Sequence, residues 1–253
     1  MEIDIKKAQN EFEKYVQKYN PEDKKIKLKI EHIKRVSEMS KKIAKTLNLK
    51  SEEIQLAQLI GLLHDIGRFE QIRLYHTFLD KESINHAEFG VKVLFDDGLI
   101  RTFIETYKYD EIIKKAIFNH NKPYVEKGLT EKELLHTKII RDADKVDIYS
   151  ILITDNKETI WGKEDLSQEK FSDEIYRQFI EEDMIDYKYI KTSADLLACH
   201  FKYVYDLNFD ESKKIIKENK YIDKLYERFI FKDKETMKKY NEIYTLAKKR
   251  IDN

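Results

Sequence analysis

The sequence is poor in the residues that disulfides, thiolate metal sites and tight turns require. Its 253 residues include one cysteine, two prolines and six glycines. A single cysteine excludes a disulfide framework within the chain and a zinc site built from several thiolates, and it favours a reducing, cytoplasmic location. So few turn formers are atypical of a many-stranded sheet, because tight hairpins depend on glycine and proline.

Excess charge of one sign and long apolar runs are lacking as well. Lys and Arg together number 48, and so do Asp and Glu, which makes the formal net charge zero. A neutral chain has no overall attraction for the phosphate backbone of nucleic acid or for an anionic membrane, so we predict neither as a partner. No apolar run approaches the ~18 residues that a membrane span needs.

The chain is rich instead in helix-forming residues. Lys, Glu, Leu and Ile dominate, with apolar positions at helical spacing, which predicts an all-α fold with charged outer faces. Residues 66–82 have poor periodicity and are predicted to form an ordered loop. The predicted helices cover residues 3–19, 24–48, 51–64 with Ser51 as N-cap, 83 or 85 to about 97, 109–120, about 131–153 after a Thr130–Glu133 capping box, 168–184, 193–206, 211–218, 220–231 and 234–250.

Histidines and aspartates fall at or near the ends of five successive predicted helices in the first 150 residues. They are His32, His64 with Asp65, His86, His120 and Asp144. His64 and Asp65 end an apolar helical run just before Gly67. Imidazole nitrogen and carboxylate oxygen together suit Mn, Fe, Co, Ni or Zn. The pattern therefore indicates a divalent metal site, whereas each histidine taken alone would be explained as a core residue.

This order of residues resembles the HD-domain metal-dependent phosphohydrolase superfamily, in which a His, a His-Asp pair, one or two further His and an Asp lie on a five-helix core. The stretches that carry the resemblance are 62–68, 85–90, 118–121 and 141–147. The resemblance covers residues from about 28 to 150. It implies an HD-like helical bundle at residues 1–154, followed by a helical extension at 155–253 that we assign to the same domain.

The resemblance also implies a ligand set. One divalent ion, Mn, Fe, Co, Ni, Zn or Mg, would be bound by His32, His64, Asp65 and Asp144. His86 and His120 would extend the site toward a second ion, with Asp65 bridging the pair. Asparagines rather than another histidine flank His120, so one or two ions per chain remain open.

Helical phase does not distinguish Asp142 from Asp144 as the last ligand. Asp144 is assigned because the family's ligand follows a small residue and precedes a basic one. Asp142 is then expected to be an exposed carboxylate or a hydrogen-bond partner of a ligating histidine.

The implied activity is hydrolysis of a phosphoester in a nucleotide or another small phosphorylated metabolite. Candidate catalytic residues are Asp65, His86, His120 and Lys145, and candidate phosphate-binding cations are Arg68, Arg73, Lys122 and Lys145. Two alternatives stay open, namely a di-iron oxygenase of HD type and a non-catalytic nucleotide-sensing module. Association into a homo-oligomer is also open.

Four residues fall outside the pattern. His76, His136 and His200 are predicted to lie on the surface or in loops, and Cys199 is predicted to be a packing residue.

Overall fold

A computed structural model describes residues 3–20 and 22–252, and within these ranges every regular element is helical. The all-α prediction is therefore confirmed. The α-helices are α1 Ile5–Val16, α2 Lys24–Thr46, α3 Ser51–Leu63, α4 Gly67–Tyr75, α5 His86–Val91, α6 Ile100–Phe103, α7 Asp110–Asn119, α8 Glu131–Thr154, α9 Lys157–Trp161, α10 Asp173–Glu181, α11 Ser193–Lys202, α12 Asp210–Glu218, α13 Tyr221–Glu227 and α14 Lys234–Asp252. A π-helical turn, Lys92–Asp96, continues α5, and 3-10 turns occupy Asp80–Glu82, Tyr187–Tyr189 and Tyr203–Asp206. In the described part of the chain, no helix combines the length and hydropathy that crossing a membrane requires.

The chain divides into two compact units, and the division falls between Asp144 and Lys145, inside α8. The unit up to Asp144 contains α1 to α7 and the beginning of α8. The unit from Lys145 onward contains the rest of α8 and the helices that follow. The sequence-based division at residues 154 and 155 stays a prediction.

Helices α2 and α3 pack closely in the first unit because Gly61 leaves room between them. A Cβ at Gly61 would lie 2.8 Å from the Cα of Ser37. Ser37 also donates a hydrogen bond from Oγ to the carbonyl oxygen of Gln58, at 2.8 Å. Val36, on the predicted apolar stripe of α2, is fully buried. This close packing brings one end of α3 against the middle of α2.

Helix α4 corrects the sequence-based prediction, since residues 67–75 form a helix and not a loop. Its buried side mixes apolar Phe69 and Ile72 with Gln71, which is also fully buried. The Gln71 amide donates to Asp80 Oδ1 and to the carbonyl oxygen of Ile84, both at 3.0 Å. A buried polar side chain on the core-facing side removes the apolar periodicity by which a helix is recognised.

Helix starts were predicted with mixed success. Asn85 caps α5 by accepting from the backbone N–H of Ala87, and Thr130 and Glu133 form both hydrogen bonds of the predicted capping box. Ser51 as N-cap was wrong. Lys50 precedes the helix with an extended backbone and no side-chain cap bond. Two glutamates in the first turn of α3 place negative charge at its N-terminus in place of a cap.

His200 is buried in the second unit, so its predicted surface position was wrong. Its Nδ1 accepts a hydrogen bond from Trp161 Nε1 at 3.2 Å, and the Trp161 ring packs edge-on against Phe229. Burial lowers the pKa of His200 to about 3. The neighbouring Cys199 is buried as predicted, and burial raises the pKa of its thiol.

Candidate metal centre

Four side-chain atoms meet in the first unit at the end of α3. His32 comes from the middle of α2, His64 and Asp65 from the turn after α3, and Asp144 from α8. His32 Nε2 lies 3.2 Å from Asp144 Oδ1 and 3.7 Å from Asp65 Oδ2. His64 Nε2 lies 3.7 Å from the same Asp65 oxygen and 3.8 Å from Asp144 Oδ1. Donor atoms about 2.0–2.2 Å from one ion lie roughly 3–3.6 Å apart. The 3.2 Å separation falls within that range, and the separations of 3.7 and 3.8 Å lie just above it. Single donor atoms of His32, His64 and Asp144 all lie within 4.8 Å of one another, so this group could hold an ion.

A second group of atoms faces the other oxygen of the same carboxylate. Asp65 Oδ1 lies 3.4 Å from His86 Nε2 and 3.7 Å from His120 Nε2, and the two imidazole nitrogens are 3.1 Å apart. Asp65 therefore presents one oxygen to each group, which is the placement that a carboxylate bridging two ions requires.

The hydrogen bonds of the histidines show which nitrogen carries the proton. Nδ1 of His64 is 2.8 Å from the carbonyl oxygen of Gly61, and Nδ1 of His120 is 2.7 Å from that of Ile117. A carbonyl oxygen can only accept, so each Nδ1 donates and each Nε2 presents a lone pair. Nδ1 of His86 likewise faces a carboxylate, at 2.6 Å. His86 and His120 thus direct two lone pairs at each other, an arrangement that a cation between them would stabilise.

Protonation states favour the same conclusion. Burial lowers the pKa of His64 to about 4, and burial together with Arg68 lowers that of His86 to about 3. Burial alone would raise the pKa of Asp65, but Lys29 and the surrounding imidazoles hold it well below its usual range. Burial would also raise the pKa of Asp144, but the contact with His32 and the neighbouring imidazoles of His64 and His120 lower it. Neutral imidazoles and ionised carboxylates are the forms that bind metal.

Two donor atoms of the cluster are left unsatisfied. His64 Nε2 and Asp65 Oδ1 are buried and have no hydrogen-bond partner among the residues that the structure describes. Buried polar atoms are rarely orphaned, so each such atom needs an explanation. A cation in the first group would coordinate His64 Nε2, and a cation in the second group would coordinate Asp65 Oδ1. The residues present therefore fit a divalent metal site.

A supporting network around His86 was missed in the sequence. Asp80 contacts His86 Nδ1 through one oxygen and accepts from Arg68 Nη1 through the other, at 2.9 Å. Burial would raise the pKa of Asp80, but the hydrogen bond with His86 and the Arg68 charge lower it to about 2. The polar density of residues 66–82 was the available signal, and it was interpreted as a loop.

Two further cations near the cluster were also missed. Lys29, one turn before His32 on α2, donates to Asp65 Oδ2 at 2.8 Å. Arg141 is buried and donates from Nη1 to the carbonyl oxygens of Asn119 and Lys122, both at 2.6 Å, which fixes the backbone on either side of His120. Position within the closing motif was the only sequence signal for Arg141.

Of the four predicted phosphate-binding cations, the structure brings Arg68 to the cluster, with its Nη2 3.4 Å from His86 Nε2. Arg73 pairs instead with Glu70 on an exposed part of α4. Lys122 lies over the ring of Phe118 and 3.8 Å from Glu88. Lys145, in the second unit, pairs with Asp206 at 2.6 Å.

The remaining predictions divide as follows. Asp142 is fully buried, so the first of its two predicted roles, an exposed carboxylate, was wrong. Its second predicted role, as a hydrogen-bond partner of a ligating histidine, stays a prediction. Asp144 is the aspartate of α8 whose carboxylate contacts His32 and His64. His136 is also buried, with Nε2 2.7 Å from Glu53, although a surface position was predicted. His76 is exposed at the end of α4, as predicted.

Comparison with known proteins agrees with this centre. The family model described as "HD domain" matches residues 30–149, a range that contains all six side chains of the two groups. No curated protein and no solved structure matches the chain. The match to the HD-domain model over residues 30–149 agrees with the resemblance of the motifs to the HD-domain metal-dependent phosphohydrolase superfamily.

Proposed function

We propose that the protein is a metal-dependent phosphohydrolase that cleaves a phosphoester of a nucleotide or another small phosphorylated metabolite. The observation that carries this proposal is the division of Asp65 between two groups of donor atoms, one oxygen to each. Two cation sites that share a carboxylate can hold the attacking and leaving oxygens of an in-line displacement.

The ligand assignment follows the geometry. His32, His64, Asp65 and Asp144 would hold one divalent ion, and Asp65, His86 and His120 would hold a second. Bound there, Mn, Fe, Co, Ni, Zn or Mg would activate water as a nucleophile at neutral pH and neutralise the charge of the phosphate.

Arg68 is the residue that we propose to bind the substrate phosphate. Its Nη1 donates to the carbonyl oxygen of Phe78 at 2.6 Å and to Asp80, so the guanidinium plane is held in place. Its Nε is buried, with no hydrogen-bond partner among residues 3–20 and 22–252, and lies 3.7 Å from Asp65 Oδ1. A fixed donor without an acceptor is well suited to a phosphate oxygen, since phosphoryl transfer depends on positioning and charge neutralisation.

Proton donation by His86 or His120 has less support than ligation. Both rings use Nδ1–H in other hydrogen bonds and present a lone pair at Nε2, so neither has a proton to offer the leaving oxygen. Only its place in the motif supports Lys145 as a catalytic residue. The structure adds no support, since its ammonium pairs with Asp206.

A small substrate in the cytoplasm is the proposed context. The zero net charge gives no support for a long nucleic acid or a membrane surface as partner, because phosphate backbones attract basic proteins. The single cysteine, which is buried, suits a reducing compartment.

Elemental analysis of the purified protein, combined with a phosphate-release screen over nucleotides and sugar phosphates, tests the proposal. His64→Ala and Asp65→Ala should each abolish metal binding and turnover while helix content is retained. His76→Asn is the matched control, because His76 is an exposed histidine outside the cluster and asparagine tolerates its left-handed backbone. Turnover in both cluster variants would reject the assignment. Turnover that requires oxygen would favour the oxygenase alternative.

A further inference from the structure

Lys29 places a protein cation directly on the carboxylate that both groups of donor atoms share. It lies three residues before His32 on α2, so the two side chains project from the same face of the helix. Its ammonium is 2.8 Å from Asp65 Oδ2, and its side chain is 19% exposed. The lysine therefore reaches the buried carboxylate from the solvent side of the cluster.

The oxygen that accepts from Lys29 is the one that belongs to the first group. Asp65 Oδ2 lies 3.7 Å from Nε2 of both His32 and His64. An ammonium at this oxygen neutralises the carboxylate before any metal binds. A divalent ion at the same oxygen would then lie within a few ångströms of a positive charge, and the repulsion would weaken its binding.

Lys29 also has an alternative place for its charge. The ring of Phe78 lies 5.7 Å from its ammonium and 5.8 Å from the guanidinium carbon of Arg68, so one aromatic ring neighbours both cations. An ammonium that leaves Asp65 on this partly exposed side would still lie beside the ring that the Arg68 guanidinium also neighbours. Two cations beside one ring would favour an anion between them.

We propose that Lys29 is an internal counter-cation that competes with the metal for Asp65, and that a bound anion relieves this competition. The inference rests on the proposed metal site and adds a regulatory property to it. Metal entry displaces the ammonium from Asp65, and the displaced ammonium then binds phosphate together with Arg68. Because binding free energies are reciprocal, phosphate raises metal affinity by the same factor as metal raises phosphate affinity.

Calorimetric titration of the metal-free protein with Mn²⁺ tests the competition directly. Lys29→Met and Lys29→Gln should each bind Mn²⁺ about tenfold more tightly than the unaltered protein, because both variants remove the competing charge. Lys34→Met is the matched control. It lies on the same helix, and its ammonium pairs with Glu13 on an exposed surface, so its loss should leave the affinity unchanged. Circular dichroism checks that each variant is folded.

Repeating the titration with inorganic phosphate tests whether a bound anion relieves the competition between Lys29 and the metal. Phosphate should tighten Mn²⁺ binding to the unaltered protein and to the Lys34→Met control, and should do so much less in the Lys29 variants. Equal or weaker Mn²⁺ binding by both Lys29 variants would overturn the inference while the proposed function stands. An equal effect of phosphate on Mn²⁺ binding by all four proteins would overturn the proposal that a bound anion relieves the competition. Failure of both the unaltered protein and the control to bind Mn²⁺ would reject the metal site itself, and the inference with it.

Discussion

A substitution at Gly67 tests the effect of helix packing on the metal centre without changing any of the proposed ligands. Gly67 opens α4 directly after the His-Asp motif and lies against α5, whose first residue is His86. A Cβ at this position would lie 2.5 Å from the carbonyl oxygen of His86 and 2.6 Å from the backbone nitrogen of Gly90. Both are backbone atoms, so no flexible side chain can move aside. We therefore predict that Gly67→Ala forces α4 and α5 apart.

The size of the shift follows from these distances. To bring the 2.5 Å approach to the 3.4 Å of an ordinary contact, α5 must retreat by about 0.9 Å. Directed along the 3.4 Å separation between Asp65 Oδ1 and His86 Nε2, the same movement would lengthen it to at most roughly 4.3 Å. Metal sites tolerate deviations of about 0.2 Å in ligand distance. Gly67→Ala should therefore lose the second ion and retain the first, because neither α2 nor α8 has to move.

The energetic cost can be bounded in the same way. Overpacking against backbone costs about 1–3 kcal/mol, with this contact at the upper end, and alanine recovers up to about 1 kcal/mol of helix propensity. Gly67→Ala should lower the free energy of unfolding by about 2 kcal/mol in urea titrations of the metal-free protein.

Gly90→Ala is the matched control, since its Cβ would meet nothing closer than 3.5 Å. It should leave stability unchanged or slightly raised, with both ions bound. Equal stability and equal metal content in the two alanine variants would refute the packing argument.

Three further predictions concern residues outside the ligand set. Asp80→Asn removes the negative charge that orients His86, and should weaken binding of the second ion by about 10–100-fold in metal titrations while the first is unaffected. Unchanged affinity would show that Asp80 stabilises the chain around it and does not affect binding of the second ion. Arg141→Lys cannot reproduce the planar donors that hold the backbone around His120, and should lower the free energy of unfolding in urea by about 2–3 kcal/mol. A loss below about 0.5 kcal/mol would show that these hydrogen bonds are replaceable. For His200 the folded-state pKa of about 3 lies below the unfolded value of about 6.5, so only the unfolded chain takes up a proton as the pH falls through 6.5. Between pH 7 and pH 5 this histidine should cost about 2 kcal/mol of stability, and His200→Gln should show a correspondingly smaller loss in urea unfolding at the two pH values.

Much of the candidate metal centre could be predicted from the sequence because most of its side chains lie within short motifs, several of them at helix ends. His64 and Asp65 are adjacent in the chain, and His86 and His120 each end or begin a helix whose apolar pattern is clear. Helical phase left Asp142 and Asp144 undecided. The structure shows Asp144 in contact with both His32 and His64, and it shows Asp142 fully buried.

What could not be predicted depends on contacts between distant residues. The importance of Asp80 comes from His86 and Arg68, and that of Lys29 from a carboxylate 36 residues away. The helix α4 escaped detection for the same reason, because Gln71 is buried by partners that only the tertiary structure supplies. His200 was misplaced because a histidine accepting from a buried tryptophan has no local pattern.

The most direct test of the metal centre is a crystal structure of the protein soaked in Mn²⁺, with anomalous scattering to locate the ion. We predict a peak within coordination distance of His32, His64, Asp65 and Asp144, and a second on the other side of Asp65 beside His86 and His120. An anomalous peak elsewhere in the molecule, with these side chains unchanged and without metal, would contradict the account.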